Sequence, residues 1–248
     1  ALPIYKLLEQ TTDQRDRARL LASQSPHSAD WLFALPLSSI GLRLSNEAVR
    51  VSVGMRLGMK ICEEHQCPCG ATVDIIGTHD LSCRRSAGRQ QRHSALNDIL
   101  VRAMHVAQAT GNKGTFLVFQ DKRPDGVTLI PWSRGRCLTW DITVPDTVAT
   151  SHLDRTSFAA GAAAEHAAEL KTAKYADLLQ YYDFVAVAVE TFGAWSTSAL
   201  DFIKTLGRRI TEVTGEKLET AYLLQRLSVT IQRCNALCFA GSFKSDSN

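Results

Sequence analysis

The spacing of apolar side chains predicts that the first part of the chain is helical. Apolar residues recur at helical intervals over residues 4–22 and again over residues 46–59, with charged residues between them. Pro26 interrupts the pattern, and Ser45 stands where it can cap the second helix. Residues 1–60 are therefore expected to form a helical lead-in.

The pattern changes twice after this lead-in. Residues 61–84 contain cysteine, histidine and glycine at short intervals without a sustained period, which is typical of a loop-rich metal module. Farther along, helical and β-type patterns alternate in the order α-β-β-β-α-β, followed by two helices. The last strand is apolar on both faces, as expected of a central strand that is covered on both sides. The predicted elements cover residues 92–109, 115–120, 127–130, 136–144, 156–180, 184–190, 196–211 and 216–240.

The composition is that of an ordinary globular protein. Of the 248 residues, 45% are hydrophobic and 21% are charged, which argues against a mainly disordered chain. No stretch approaches the ~20 consecutive apolar residues of a membrane-spanning helix, and no secretory leader is present, so neither spanning nor secretion is expected. Because the chain starts with Ala1 rather than methionine, we expect a piece of a longer protein. The net charge of +3 is compatible with a nucleic-acid partner but does not require one.

Four of the seven cysteines lie between residues 62 and 83, beside histidines, which favours an intracellular metal site over a disulfide framework. The clearest set of tetrahedral zinc ligands is Cys67, Cys69, His79 and Cys83. The first two cysteines are closer together than usual, so Cys62 or His65 could replace one of them. Four protein ligands indicate a structural or nucleic-acid-binding role, and the alternative is a cluster of free thiols.

Basic residues follow this segment without an intervening acid: Arg84, Arg85, Arg89, Arg92 and His93. Closely spaced arginines after a zinc module favour contact with phosphates, although a solvated helix entry has the same pattern. Arg134 and Arg136 lie on the turn between the second and third predicted strands and are further candidates for contact with a DNA backbone.

Two aspartates stand near the ends of predicted strands. Asp125 precedes the second strand, and Asp141 lies in the third, where alternation directs it away from the most apolar face. If these strands form a hairpin, the two carboxylates could share a divalent ion, since Mg²⁺ prefers carboxylate, water and phosphate oxygens. The alternative is that Asp125 belongs to a turn and Asp141 is a carboxylate at the surface.

Two lysines are predicted to face the same sheet. In the helix predicted over residues 156–180, Lys171 lies within a stripe of alanines and Lys174 lies at its edge. The alanines allow the helix to approach the sheet closely, so a lysine there must either extend its stem to solvent or meet a carboxylate. Two lysines beside two aspartates suggest a site for metal and phosphate.

Several of these features, in this order, resemble one known family. They are the Cys/His segment ending at His79 and Cys83, Arg92-His93 at the start of a helix, Arg123-Pro124-Asp125, Trp140-Asp141-Ile142-Thr143, and Lys171-x-x-Lys174-Tyr175. Together with the element order they are similar to the PD-(D/E)XK restriction-like endonucleases. More narrowly, they resemble the endonuclease domain with a CCHC zinc knuckle at the C-terminus of site-specific non-LTR retrotransposon reverse transcriptases. The resemblance covers roughly residues 55–190.

The resemblance implies an α/β fold with a PD-(D/E)XK core, and the pattern along the chain divides it into three segments. These are a helical lead-in over 1–60, a zinc knuckle with a basic stretch over 61–91, and the core with C-terminal helices over 92–240. It implies an endonuclease that nicks DNA with Mg²⁺ or Mn²⁺ and leaves a 3′ hydroxyl that primes reverse transcription. The expected partners are target DNA, the element RNA and the remainder of a reverse transcriptase polyprotein, in the nucleus and without a membrane.

The resemblance also implies roles for individual residues. Asp125 and Asp141 correspond to the metal ligands, together with the backbone carbonyl of Ile142. The lysine role is expected to come from the following helix, where the candidates are Lys171 and Lys174.

The chain departs from the family pattern at several positions. Thr143 occupies the position of the usual strand lysine, which favours an alternative function, a catalytically inactive zinc-containing module that binds nucleic acid. Glu190 is expected to be either an auxiliary group or a surface acid at the end of a strand. Asn97 and Asp98 stand nearest to the position where some relatives carry a helix glutamate.

Overall fold

The structure is a computed structural model that describes residues 4–109, 111–113 and 122–243. The helices in these ranges are α1 (Ile4–Gln10), α2 (Gln14–Gln24), α3 (Asn46–Leu57), α4 (Ala87–Val106), α5 (Leu153–Thr156), α6 (Ala162–Lys174), α7 (Thr197–Thr214) and α8 (Glu219–Ala240). The strands are β1 (His65–Gln66), β2 (Thr72–Val73), β3 (Gly111–Lys113), β4 (Gly126–Thr128), β5 (Leu138–Thr143) and β6 (Asp183–Ala188). None of the described helices is both long enough and apolar enough to cross a membrane.

Four strands form one mixed sheet in the order β3-β4-β5-β6. Strand β4 is antiparallel to both β3 and β5, whereas β6 runs parallel to β5, from the pair Leu138↔Asp183 to the pair Thr143↔Ala188. Parallel strands need a crossover connection, and α5 and α6 supply it. The predicted α/β class is therefore confirmed.

Helices cover both faces of this sheet. Helix α6 packs on one face through a small cluster of alanines that includes Ala164 and Ala168. The other face belongs to the main hydrophobic core, shared with α4, α7 and α8, to which β5 contributes Trp140 and Ile142. Because side chains alternate along a strand, Asp141 faces the α6 side of the sheet, as its sequence position predicts.

A second hydrophobic cluster joins the N-terminal helices to the end of α8. It contains Val51 and Met55 from α3, Leu81 from the Cys/His segment and Phe239 from α8. The N-terminal helices and the Cys/His segment therefore share one core with the C-terminal helix.

The first predicted helix is interrupted in the structure. Residues 4–22 were expected to form one helix, but α1 ends at Gln10 and α2 begins at Gln14. The Asp13 carboxylate accepts a hydrogen bond from the backbone N–H of Asp16 at 2.8 Å and so caps α2. A capping aspartate is a local start signal that the apolar period alone does not show.

The connection between β5 and β6 also differs from the prediction. The helix predicted over residues 156–180 is divided into α5, α6 and a 3₁₀ turn, Ala176–Gln180. Gly161, which precedes α6, has a φ of 77°, a left-handed conformation that ends one helix and begins the next.

The three predicted strands over 127–130, 136–144 and 184–190 correspond to β4, β5 and β6 with slightly different bounds. The strand predicted over 115–120 lies outside the described residues. Strand β3 lies between the helix predicted over 92–109 and the strand predicted over 115–120, at residues for which no element was predicted.

Candidate active site and metal centre

The four zinc-ligand candidates converge on one point. The ligand atoms of Cys67, Cys69, His79 and Cys83 all lie within 4.8 Å of one another, a set that can hold a metal ion such as zinc. The first cysteine follows β1, and the backbone N–H of Gly70 donates to its carbonyl at 2.8 Å, which closes the turn towards β2. Glycine fits there because its φ is 94°. The predicted Cys₃His cluster is confirmed as a group able to hold such an ion.

The thiols of this cluster differ in acidity. A hydrogen bond from the backbone of Ala71 lowers the pKa of Cys69 to about 7, whereas burial raises the pKa of Cys67 to about 12. Zinc binds thiolates, so metal binding at this cluster would release protons.

Neither alternative ligand belongs to the cluster. The Cys62 thiol donates to the carbonyl of Asp74 at 3.3 Å. The His65 Nε2 atom lies 2.8 Å from the hydroxyl of Ser242. The structure therefore distinguishes ligand sets that the sequence left open.

The segment around the cluster, residues 61–84, is called the knuckle below, and it packs on the end of α8. The His65 ring stacks on Phe243 with a centroid separation of 4.2 Å, and Phe243 in turn meets Phe239 edge to face at 5.3 Å. A Cβ atom at Gly77, whose φ is 70°, would lie 2.6 Å from the Phe239 ring. These contacts fix the knuckle against the core.

The two candidate catalytic aspartates are neighbours across β4 and β5. Gly126 pairs with Trp140, so the next positions outward in this register are Asp125 and Asp141. The backbone N–H of Ile142 donates to Asp125 Oδ2 at 2.6 Å, which ties the first carboxylate to the strand that carries the second. The side chain of Asp141 is only 4% exposed, so the alternative that it is a surface carboxylate is wrong.

Helix α6 and the residue after it supply the partners of Asp141. The Lys171 ammonium lies 2.5 Å from Oδ1, and the buried Tyr175 hydroxyl donates to Oδ2 at 2.6 Å. Burial and the charge of Asp141 raise the pKa of Tyr175, so it stays a donor. Lys174 donates to the Tyr175 hydroxyl at 3.1 Å. Lys171 therefore contacts the acid directly, and Lys174 contacts it only through the tyrosine.

Helix α4 contacts Asp125 from the other side. His93 Nε2 donates to Asp125 Oδ2 at 2.9 Å, and Asn97 Nδ2 donates to the Asp125 carbonyl at 3.2 Å. The hydrogen bond to Asp125 raises the pKa of His93, and the charge of Asp141 adds to this effect against the opposing effect of burial. His93, predicted as a nucleic-acid contact, thus has a carboxylate partner within the acidic pair.

One carboxylate oxygen of the acidic pair has no aligned hydrogen-bond donor within the described part of the chain. Asp141 Oδ1 is buried and has no aligned hydrogen-bond donor among the described residues, since the Lys171 ammonium pairs with it outside hydrogen-bonding geometry. Within the described ranges, only the knuckle brings together three or more His, Cys, Asp or Glu ligands.

A cleft of about 450 Å³ is lined by residues of the basic stretch and by residues that contact the acidic pair. His93, Ile142 and Lys171 line it, and each of them contacts one of the two aspartates. Arg84 and Arg89 also line it, and both are exposed. Neither aspartate is itself a lining residue, so the acidic pair borders this cleft through its partners, and we call it the basic cleft.

Arg92 differs from its predicted role. Its side chain is almost fully buried, with 2% exposure, and its guanidinium donates to Asn235 at 2.8 Å and to the carbonyl of Leu81 at 3.1 Å. Burial lowers its pKa. Arg85 is exposed but donates to the carbonyl of Pro68 at 2.7 Å, within the knuckle. The prediction that Arg92 contacts nucleic acid is thus corrected, because this side chain joins α4 to α8.

Arg134 and Arg136 lie at the far end of the β4–β5 hairpin. Arg136 lies two residues before β5 begins, whereas Asp141 lies towards the other end of that strand. Its guanidinium donates to the carbonyl of Tyr182 at 2.5 Å and pairs with Asp183 at 3.3 Å. Arg134 is exposed. Neither residue lines the basic cleft.

Glu190 is not a surface acid, which corrects one of the two predictions made for it. It is fully buried, and its Oε1 accepts the backbone N–H of Ala163 at 3.0 Å in the first turn of α6. Burial raises its pKa to about 7, and the nearby carboxylate of Asp146 contributes in the same direction. Glu190 therefore caps the helix that carries Lys171.

Sequence reasoning missed three contacts of the site: those of His93, Asn97 and Tyr175 with the two aspartates. A usable signal was present. His93 and Asn97 are four residues apart, as are Lys171 and Tyr175, and such pairs share one face of a helix.

Comparison with known proteins identifies no family for this chain. No family model matches it, and no curated protein matches it significantly. The function is argued below from the geometry of the site.

Proposed function

We propose that the chain is a divalent-metal-dependent DNA endonuclease domain of the PD-(D/E)XK type, from a retroelement-type reverse transcriptase. The observation that carries this proposal is that Asp125 and Asp141 are neighbours across the sheet and that Lys171, which lines the basic cleft, contacts Asp141 directly. The element order from α4 to β6 supports it, because Asp125 immediately precedes β4, Asp141 lies in the adjacent antiparallel strand β5, and a helical crossover follows. This is the arrangement that the resemblance implies.

The cleft residues have separate tasks in phosphodiester hydrolysis. Arg84 and Arg89, the exposed arginines that line the cleft, bind backbone phosphates. Asp125 and Asp141, with an adjoining backbone carbonyl, would hold Mg²⁺ or Mn²⁺, which supplies positive charge to the phosphate and lowers the pKa of bound water. The Lys171 ammonium neutralises charge that develops on the phosphate. The products would be a 5′ phosphate and a 3′ hydroxyl.

Tyr175 has a supporting task at this site. Its hydroxyl occupies Asp141 Oδ2 and also lies 2.8 Å from the carbonyl of Arg123, near the start of β4. The tyrosine therefore fixes one oxygen of Asp141 and leaves the other, Oδ1, directed towards Lys171. A carboxylate held in this way keeps a single orientation at the site.

The proposal extends to the setting of the domain. The 3′ hydroxyl would prime reverse transcription of the element RNA in the nucleus, and the rest of the polyprotein would supply the polymerase. The knuckle, fixed beside Arg84 and Arg85, would extend the nucleic-acid-binding surface beyond the basic cleft.

The test is nicking of supercoiled plasmid by zinc-loaded protein, with added Mg²⁺ or Mn²⁺ and with a chelator of these ions. We expect Asp141→Asn to abolish nicking and to leave DNA binding largely intact. The matched control is Asp183→Asn, which changes a carboxylate on the same sheet that pairs with Arg136 away from the cleft. Nicking that survives Asp141→Asn, or that falls equally in both variants, contradicts the proposal.

The same assay separates the alternative function, a non-catalytic module that binds nucleic acid. The observation that favours this alternative is that each aspartate already has a cationic or titratable partner, His93 for Asp125 and Lys171 for Asp141. Salt-dependent DNA binding without nicking in either metal would support the alternative.

A further inference from the structure

Helix α4 holds Asp125 at two points. His93 donates to its carboxylate, and Asn97, one turn later, donates to its backbone carbonyl. The two contacts fix both the side chain and the main chain of the same residue. Asp125 precedes the short strand β4, and its own backbone N–H donates to the carbonyl of Trp140 in β5 at 2.9 Å.

Trp140, the residue before Asp141, determines the orientation of the Asn97 amide. The indole N–H of Trp140 donates to Asn97 Oδ1 at 2.9 Å. An indole nitrogen can only donate, so the amide oxygen must face it and the amide NH₂ must face the Asp125 carbonyl. Asn97 is 7% exposed and Trp140 is fully buried, so water does not readily replace these bonds.

Trp140 is held equally closely. A Cβ atom at Gly126 would lie 1.9 Å from the indole ring, so the ring passes directly over the first residue of β4. The bonds therefore form one connected path, from Trp140 through Asn97 to Asp125. This path joins Trp140, which precedes Asp141, to the main chain of Asp125.

We infer that Asn97 is a positioning residue for the acidic pair, which sets the place of Asp125 relative to Asp141 without touching a bound cation. The inference rests on the proposed function, because its consequence is the geometry of a divalent-ion site. Groups that orient metal ligands from the second layer typically change metal affinity or activity by about 10–100-fold when they are removed. An asparagine is required because the position needs one acceptor and one donor on the same planar group.

The experiment compares Asn97→Ala with Asn235→Ala in the zinc-loaded full chain. Asn235 is a matched control, because it is also buried and bonds to Arg92 and to the carbonyl of Thr191. The first readout is Mn²⁺ binding, measured by electron paramagnetic resonance. Only the part of the Mn²⁺ signal that is lost in Asp141→Asn is counted. The second is the metal dependence, kcat and KM of plasmid nicking.

We expect Asn97→Ala to raise the Mn²⁺ concentration at half-saturation by about tenfold or more and to lower kcat by about 10–100-fold, with KM for DNA little changed. Asn235→Ala should leave both values near those of the unaltered protein. Trp140→Phe, which keeps an aromatic ring but loses the N–H, should produce part of the effect. Combined with Asn97→Ala it should add little, because both changes break the same path.

The outcomes distinguish this inference from the proposed function. Unchanged Mn²⁺ affinity in Asn97→Ala, or equal losses in Asn97→Ala and Asn235→Ala, would overturn the positioning role while leaving the nuclease proposal in place. Absence of an Asp141-dependent Mn²⁺ signal and of nicking in the unaltered protein would instead overturn the nuclease proposal, and the inference with it.

Discussion

The buried carboxyl of Glu190 gives a quantitative prediction about stability. Its pKa in the folded chain is raised to about 7 from an ordinary value of 4.5, mainly by burial. The group therefore binds its proton more tightly in the folded than in the unfolded chain. Its contribution is fully present below about pH 4.5 and is lost as the pH rises through about 7.

The size of this loss follows from the two pKa values. At about 1.36 kcal/mol per pH unit, the gap between 4.5 and about 7 corresponds to about 3 kcal/mol. Glu190→Gln keeps the shape of the side chain and an oxygen that can accept the Ala163 N–H, but it has no proton to lose. The quantity to compare is the free energy of unfolding of the variant minus that of the unaltered protein. We expect this difference to be larger at pH 8 than at pH 4.5 by up to about 3 kcal/mol, in favour of the variant.

Urea denaturation at a series of pH values between 4.5 and 8.5, at constant zinc, measures this difference. The control is Glu169→Gln, which removes an exposed carboxylate on the same helix, α6. Its stability difference from the unaltered protein should stay nearly constant with pH. A difference for Glu190→Gln that is also constant across this range would refute the assignment of a raised pKa to Glu190.

Two further predictions concern the metal cluster and the lysines. Cys69→Ser should reduce bound zinc well below one ion per chain. It should also lower the melting temperature by several degrees, because the knuckle packs on the second hydrophobic cluster. An unchanged melting temperature would contradict this coupling between the zinc site and the core. Lys171→Met should reduce the single-turnover rate of nicking by about 10²–10³-fold. Lys174→Met should reduce this rate far less, because only Lys171 contacts Asp141 directly. Equal losses in the two variants would contradict the assigned roles.

The parts of the site that depend on alternation within a strand could be predicted from the sequence. The position of Asp141 on the face opposite Trp140 and Ile142 follows from the period of two, and the structure places it there. The lysine of the alanine stripe, Lys171, likewise meets a carboxylate because small alanines allow close approach of α6.

The residues that sequence reasoning misplaced lie where several elements meet. Arg92 and His93 are adjacent, and both were expected at a nucleic-acid surface, yet one is covered by α8 and the other reaches Asp125. Which sides of α4 are covered depends on where α8 and the sheet pack, and the period of α4 alone does not contain that information. The burial of Glu190 could not be predicted for the same reason. It depends on the N-terminus of α6, which precedes Glu190 by 27 residues and packs on it.

The contact between the knuckle and the end of α8 has a consequence for how the chain matures during synthesis. His65 and Ser242 are separated by 177 positions. At about 5–20 residues per second, a ribosome needs about 9–35 s to add them. During this interval the knuckle lacks the part of its docking surface that α8 supplies, so an ion bound early would protect the thiols from oxidation until the C-terminal helix emerges.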